Sequence, residues 1–232
     1  MDEKVENSDD HPKIRPSERD LCTRVSVQNR SDRGYSLSVM YCSWRSCGLR
    51  GREEVAVKSL VTGGVRSGKS FYAESLVVAE PHVTYIAPGR EADPDADPSH
   101  AARVAEHQAR RPSSWVTVES HDLADALASA EGAVVVDCIG DWVQWLIGEL
   151  DGWDETREEW EPRFVRQVEE AAEAVAARRD IVVLVTQEAG MGVEADDWRA
   201  RLFRDLLGYA NQRLALECDD VLLIVAGRVL TL

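Results

Sequence analysis

Three groups of residues in this chain have types and spacings that could do chemistry on a nucleoside triphosphate. The first is the run Gly63, Gly64, Val65, Arg66, Ser67, Gly68, Lys69, Ser70, which fits G-x-x-x-x-G-K-[ST]. Glycines let the backbone curl until successive N–H groups face phosphate oxygens, and the N-terminus of a following helix adds partial positive charge. Lys69 would bring a full charge to the β- and γ-phosphates, and the Ser70 hydroxyl is placed to ligate Mg²⁺. The second is Asp137, which ends the apolar run AVVVDC where a P-loop keeps the acidic partner that holds its metal. An acid capping a strand end for solubility is the plainer account of that position alone. Together these residues specify binding of a triphosphate with Mg²⁺, and they leave the reaction open.

The third group surrounds His107. Arg103 and His107 are four apart and share one face if the stretch is helical. Gln108, Ala109, Arg110 and Arg111 follow, and Pro112 is expected to end the helix. Guanidinium groups beside an imidazole oppose its protonation, which would leave it neutral and nucleophilic near neutral pH. The same groups could neutralise the phosphates it attacks. On residue type alone, a single histidine on a polar helix reads first as an ordinary surface residue. His11, His82, His100 and His121 match no catalytic pattern and read as surface positions.

The elements that must position these groups are legible from Val55 onward. Short apolar runs at 55–62, 82–87, 133–138, 181–186 and 220–227 alternate with helix-period stretches at 69–79, 99–110, 121–130, 141–150, 157–179 and 198–216. That alternation predicts a parallel sheet covered on both faces. A further strand is expected at 115–118, and 228–232 returns as a terminal hairpin. The Pro/Asp-rich loop 88–99 follows a strand end, where α/β proteins carry ligand-binding segments. Residues 1–54 are polar with no sustained period and read as a disordered extension, or as a start assigned too far upstream with Met40 nearer the domain. A short docking tail is the competing account.

The net charge of −15 is not evenly spread. Residues 1–55 hold ten basic and ten acidic residues, so the excess lies in the body. An acidic body disfavours nucleic acid and anionic membranes, which need clustered Lys and Arg. No apolar run approaches the length of a membrane helix, and no signal pattern opens the chain. Cys22, Cys42, Cys47, Cys138 and Cys218 are odd in number and irregularly spaced, which fits neither a disulfide framework nor a zinc site. A reducing cytoplasm is the expected setting.

From about Ser59 to Leu232 the chain resembles the bifunctional adenosylcobinamide kinase/adenosylcobinamide-phosphate guanylyltransferases. The marks are LVTGGVRSGKS, VTYIA, RVAEHQARRPSSWVTVE, VVVDC, TQEAGMGVEADDWRARLFRDLLGYANQRLA and DDVLLIVAG, in that order. The resemblance implies a RecA-like P-loop domain over 55–232, with ATP or GTP, adenosylcobinamide and its phosphate as substrates. It also implies a homo-oligomer, with a trimer as the expected assembly. It puts the guanylylated nucleophile at His107, and nucleotide contacts at 63–70, at Pro88, Gly89 and Arg90, at Gln108 to Arg111, and at Glu119 and Asp137. Arg201, Arg204, Asp205, Asn211 and Gln212 fall in a signature block without an assigned role. The sequence departs from the family pattern at Pro88 and Gly140, where threonine is usual, and at Asp141, where an apolar residue is. It departs also at Trp145 for asparagine, at Ala195 for proline, and at Gln187-Glu188-Ala189-Gly190 for N-E-V-G. A diverged P-loop kinase or NTPase, or a non-catalytic nucleotide-binding paralogue, are the rival readings.

Overall fold

The computed structural model describes residues 24–30, 36–42, 57–90, 93, 95–153, 156–192 and 196–232. The chain divides into two compact units, Met1–Glu54 and Val55–Leu232. In the first, β1 (Arg24–Arg30) and β2 (Ser36–Cys42) pair antiparallel, with Val25 opposite Tyr41 and Val27 opposite Val39. These two stretches lie within the 1–54 extension. Their alternation, apolar at 25 and 27 and at 37, 39 and 41, is short and sits in a polar background, so it carried no sustained period. The remainder of the expectation for 1–54 lies outside the described residues.

In the second unit, strands and helices alternate: β3 (Lys58–Gly63), α1 (Lys69–Val77), β4 (Val83–Ala87), α2 (Pro98–Arg110), β5 (Val116–Glu119), α3 (Leu123–Ser129), β6 (Ala133–Asp137), α4 (Ile139–Glu149), α5 (Arg157–Ala177), β7 (Val182–Val185), α6 (Trp198–Ala215), β8 (Asp220–Val225) and β9 (Arg228–Thr231). The sheet order is β5-β4-β6-β7-β3-β8-β9. Every neighbouring pair is parallel except β8 and β9, which close the sheet as an antiparallel hairpin. One strand, β7, stands between the strand that enters the glycine loop and the strand that ends in Asp137. That is the strand order of a RecA-like P-loop domain.

The central strands β6 and β7 are apolar almost throughout because both faces are covered. Val134 and Val136 of β6 pack with Leu184 of β7 and with the helices α3 to α6. Ala133 and Val135 pack on the other side with Val183, Val185 and with Ala73 and Val77 of α1. Two tryptophans, Trp142 and Trp160, are fully buried in the larger cluster. Parallel strands all point one way, so the ends of β3, β4, β6 and β7 open on a single rim, and the residues with chemical potential lie there. Helix α4 begins at Ile139, two residues before the expected start, because Ile139 and Gly140 are buried in the turn that leaves β6.

Candidate active site

The glycine loop runs from the end of β3 to the first turn of α1. Its glycines have different reasons. A Cβ at Gly63 would stand 2.5 Å from the Ile224 carbonyl oxygen, so the loop lies against the backbone of β8. Gly68 has φ 98°, a left-handed conformation that a side chain resists, and it starts α1. The turn between β8 and β9 closes on the loop through Gly227 N–H to the Ser67 carbonyl, 2.9 Å. The segment after β7 does so through Glu188 N–H to the Gly63 carbonyl, 3.2 Å. The Lys69 ammonium donates to the Gly64 carbonyl at 3.2 Å, which holds it across the loop. Val65 and Arg66 form the exposed crest.

Asp137 ends β6 facing this loop. It is nearly buried, with its side chain 7% exposed, and Oδ2 accepts from the Tyr85 hydroxyl at 2.8 Å. The Ser70 hydroxyl is near enough to help stabilise its charge. His107 Nδ1 lies 3.4 Å from the same Oδ2. Burial alone would raise the Asp137 carboxyl. Contact with His107 first, then with Tyr85 and Ser70, more than offsets it and holds the group below the usual carboxylate value. Tyr85 is pushed well above the ordinary tyrosine value, by burial first and by Asp137 next, so it stays a donor. The hydroxyl of Ser70 and the carboxylate of Asp137 are thus already within reach of each other. They fit a Mg²⁺ ion that keeps most of its waters and phosphate oxygens.

His107 lies on α2 against Asp137, and its company differs from the arginines expected. Two of the expected arginine neighbours are engaged elsewhere. Arg110 makes a two-pronged bond to Glu74 of α1, at 2.9 and 3.2 Å. Arg111 lies over the Tyr85 ring, its guanidinium carbon 3.4 Å from the centroid, and donates to Thr117. The group against the imidazole is a carboxylate. An acceptor at Nδ1 favours the Nδ1–H tautomer and leaves the lone pair of Nε2 for attack. The contact that could orient this imidazole is therefore the carboxylate, not the neighbouring cations.

The remaining predicted positions fall in two places. Gln108 and Ala109 are exposed on α2. Pro88, Gly89 and Arg90 leave β4, and Glu119, which pairs with Ala87, is exposed at the end of the edge strand β5. These lie on the same rim, and among the described residues no hydrogen bond or ion pair joins them to the glycine loop. Arg90 pairs with Asp97. His121, read from the sequence as a surface residue, is instead held there: its Nδ1 is 3.1 Å from the Pro88 carbonyl and its ring stacks on Trp145 at 4.1 Å. Tyr85, Glu74 and His121 are the residues that sequence reasoning missed. A tyrosine inside the apolar run VTYIA and a glutamate on the buried face of α1 were the available signals. In the signature block, Asn211 hydrogen-bonds both Thr186 and the Gln187 carbonyl, so α6 anchors the segment after β7. Arg204 donates to the Gly190 and Gly192 carbonyls. Arg157 bridges to Asp205. Ala195 lies outside the described residues.

A glycine loop, a strand-end aspartate one strand away and an oriented histidine against that aspartate define a P-loop nucleotide-binding domain equipped for group transfer. The chain belongs to the cobinamide kinase / cobinamide phosphate guanyltransferase family, whose model matches residues 59–232. It is 38% identical over 177 residues to the bifunctional adenosylcobalamin biosynthesis protein CobU of Salmonella typhimurium, covering 72% of this chain and 95% of that one. The protein CobP of Pseudomonas aeruginosa, with the same description, is 33% identical over 181 residues, covering 74% and 94%. Among solved structures, a type III secretion system ATPase aligns with a TM-score of 0.46 at 12% identity, over 73% of this chain and 51% of that one. That likeness is loose, and the strand order defines the fold without it.

Proposed function

We propose that this chain phosphorylates adenosylcobinamide with ATP or GTP and then transfers GMP from GTP to adenosylcobinamide phosphate through a guanylyl-histidine at His107. The observation that carries the second half is the contact between His107 and Asp137, beside the glycine loop. In the kinase step, the loop amides and Lys69 stabilise charge on the γ-phosphoryl as the substrate hydroxyl displaces the nucleoside diphosphate. Ser70 and Asp137 would hold a Mg²⁺ ion, which would supply further neutralisation of the phosphates. In the transfer step, Nε2 of His107 forms a bond to the α-phosphorus of GTP, the bond to the bridging oxygen breaks and pyrophosphate leaves. An oxygen of adenosylcobinamide phosphate then attacks that phosphorus, and the N–P bond breaks to release adenosylcobinamide-GDP.

The setting that goes with this reading is a cytoplasmic homo-oligomer, with a trimer the assembly that the resemblance implies. Among the described residues no helix is long and apolar enough to cross a membrane. The test is incubation with GTP labelled at the α-phosphate. Acid-labile, base-stable label on the protein, absent in His107→Ala, is the expected result. Label-free wild-type protein that still phosphorylates adenosylcobinamide would reduce the chain to a kinase, and neither product would leave a nucleotide-binding paralogue.

A further inference from the structure

Two departures from the family pattern, Gly140 and Gln187, meet in space. Strand β7 lies between β3 and β6, with Val185 in register with Asp137 on one side and with Val61 on the other. Val183 and Val185 face the α1 side of the sheet, and alternation puts Gln187 on that face as the chain leaves the strand. Its backbone is fixed: the Gln187 carbonyl accepts from Asn211 at 3.2 Å, and the next residue donates to Gly63 of the glycine loop. The carboxamide therefore sits on the rim between the loop and Asp137.

Its hydrogen bonding is half spent. Nε2 donates to Cys138 Sγ at 3.5 Å, a thiol that burial keeps protonated. Oε1 is buried and has no partner among the described residues. A buried carbonyl oxygen without a donor is costly, so such an atom calls for a specific explanation. Gly140 is what lets the carboxamide lie there. A Cβ at that position, in the first turn of α4, would stand 1.7 Å from Oε1 and 2.6 Å from Cδ.

We infer that Gln187 is a substrate-contacting residue of the kinase step, its Oε1 accepting the hydroxyl proton of the alcohol that attacks the γ-phosphorus. The unspent capacity is an acceptor, so the absent partner is a donor. A phosphate oxygen cannot serve, and an alcohol can. The hydroxyl oxygen forms the new bond to the γ-phosphorus while the bond to the β,γ-bridging oxygen breaks. The hydroxyl proton passes to the phosphoryl product and then to solvent. Gln187 takes no proton; it aims the O–H so that the lone pair lies in line. This rests on the kinase reading proposed for the chain.

Two variants remove the contact by different routes. Gln187→Leu keeps the bulk and deletes the acceptor. Gly140→Ala keeps the glutamine and pushes its flexible end aside, at a helical position where alanine is the better residue. Each is expected to lower kcat/KM for adenosylcobinamide by roughly 10- to 100-fold, the size of one lost hydrogen bond to a site group. The effect should fall on the alcohol's parameters and not on the KM of the nucleotide. In the Gln187→Leu background, Gly140→Ala should add little, because the two act on one contact. Labelling of His107 from GTP needs no acceptor alcohol and reads whether each variant still folds and cradles nucleotide. Kinase activity near wild type in either variant overturns the inference, as does full additivity in the double variant. If Gln187→Leu loses both activities, Gly140→Ala alone decides the matter by the same two readouts. A wild-type protein that moves no γ-phosphoryl to adenosylcobinamide sinks the functional reading instead.

Discussion

At the scale of single residues, the site turns on what one carboxylate does. Asp137 gathers Tyr85, Ser70 and His107 while nearly buried, so its loss is not a surface change. Asp137→Asn keeps the shape but turns an amide toward Nδ1, which no longer selects the Nδ1–H tautomer. By analogy with other carboxylate-oriented histidines, transfer of the α-label to protein should fall by about 10²–10⁴. Single-turnover labelling measures it, and a drop of only a few-fold would show that tautomer selection is not what Asp137 provides. Tyr85→Phe removes one of the contacts to Asp137 and leaves that of His107. The expected loss is only several-fold, near 1 kcal/mol. The ranking of the two variants is itself a check, because a purely packing role for Tyr85 would leave labelling unchanged.

At the scale of elements, α2 is the weak point. None of its described residues is fully buried; Ala101, Val104, His107 and Arg110 make one half-buried stripe. Such an element is held by its polar contacts, and the Arg110–Glu74 pair ties it to α1, with side chains 21% and 11% exposed. Removing one partner of a pair this sheltered costs more than a surface bridge would. Glu74→Ala should raise amide exchange over 98–110 and slow labelling of His107 at least tenfold, with the rest of the sheet still protected; unchanged exchange there would refute the clamp. A second check sits after α6, where burial, ahead of Asp219, pushes the Cys218 thiol up to about 12. Unfolded, it ionises near 8.5. The unfolded chain thus loses its proton first, and the stability contribution, full below about 8.5, should shrink as pH rises toward the folded value. Chemical unfolding at pH 8 and 10 should show a smaller loss in Cys218→Ser. These contacts also mark the limit of sequence reading. Apolar runs marked every strand of the large sheet, and the glycine spacing marked the loop. Periodicity says which face a residue takes, never which partner it meets. Glu74 with Arg110, Asp137 with His107 and Gln187 with Gly140 are pairings between distant segments, and only the folded chain brings them together.

At the scale of the whole molecule, charge and site have opposite signs. The net −15 arises beyond residue 55 and is spread over the surface. The proposed nucleotide site is lined instead by Lys69 and by Arg66 on the loop crest, against loop amides. Diffuse self-repulsion between exposed charges is screened within about 10 Å at 0.1 M salt, whereas attraction at a sheltered site is screened much less. Raising salt from low to moderate concentration should therefore raise the Tm of the nucleotide-free protein. The same change should weaken GTP binding, because the cations that hold phosphate lose part of their pull, though by no more than a few-fold. Calorimetry and titration on one preparation give both signs. If GTP bound more tightly as salt rose, the acidic surface and not the loop would govern the approach of the triphosphate. The site would then be electrostatically open to the body, contrary to a cradle of backbone amides that excludes it.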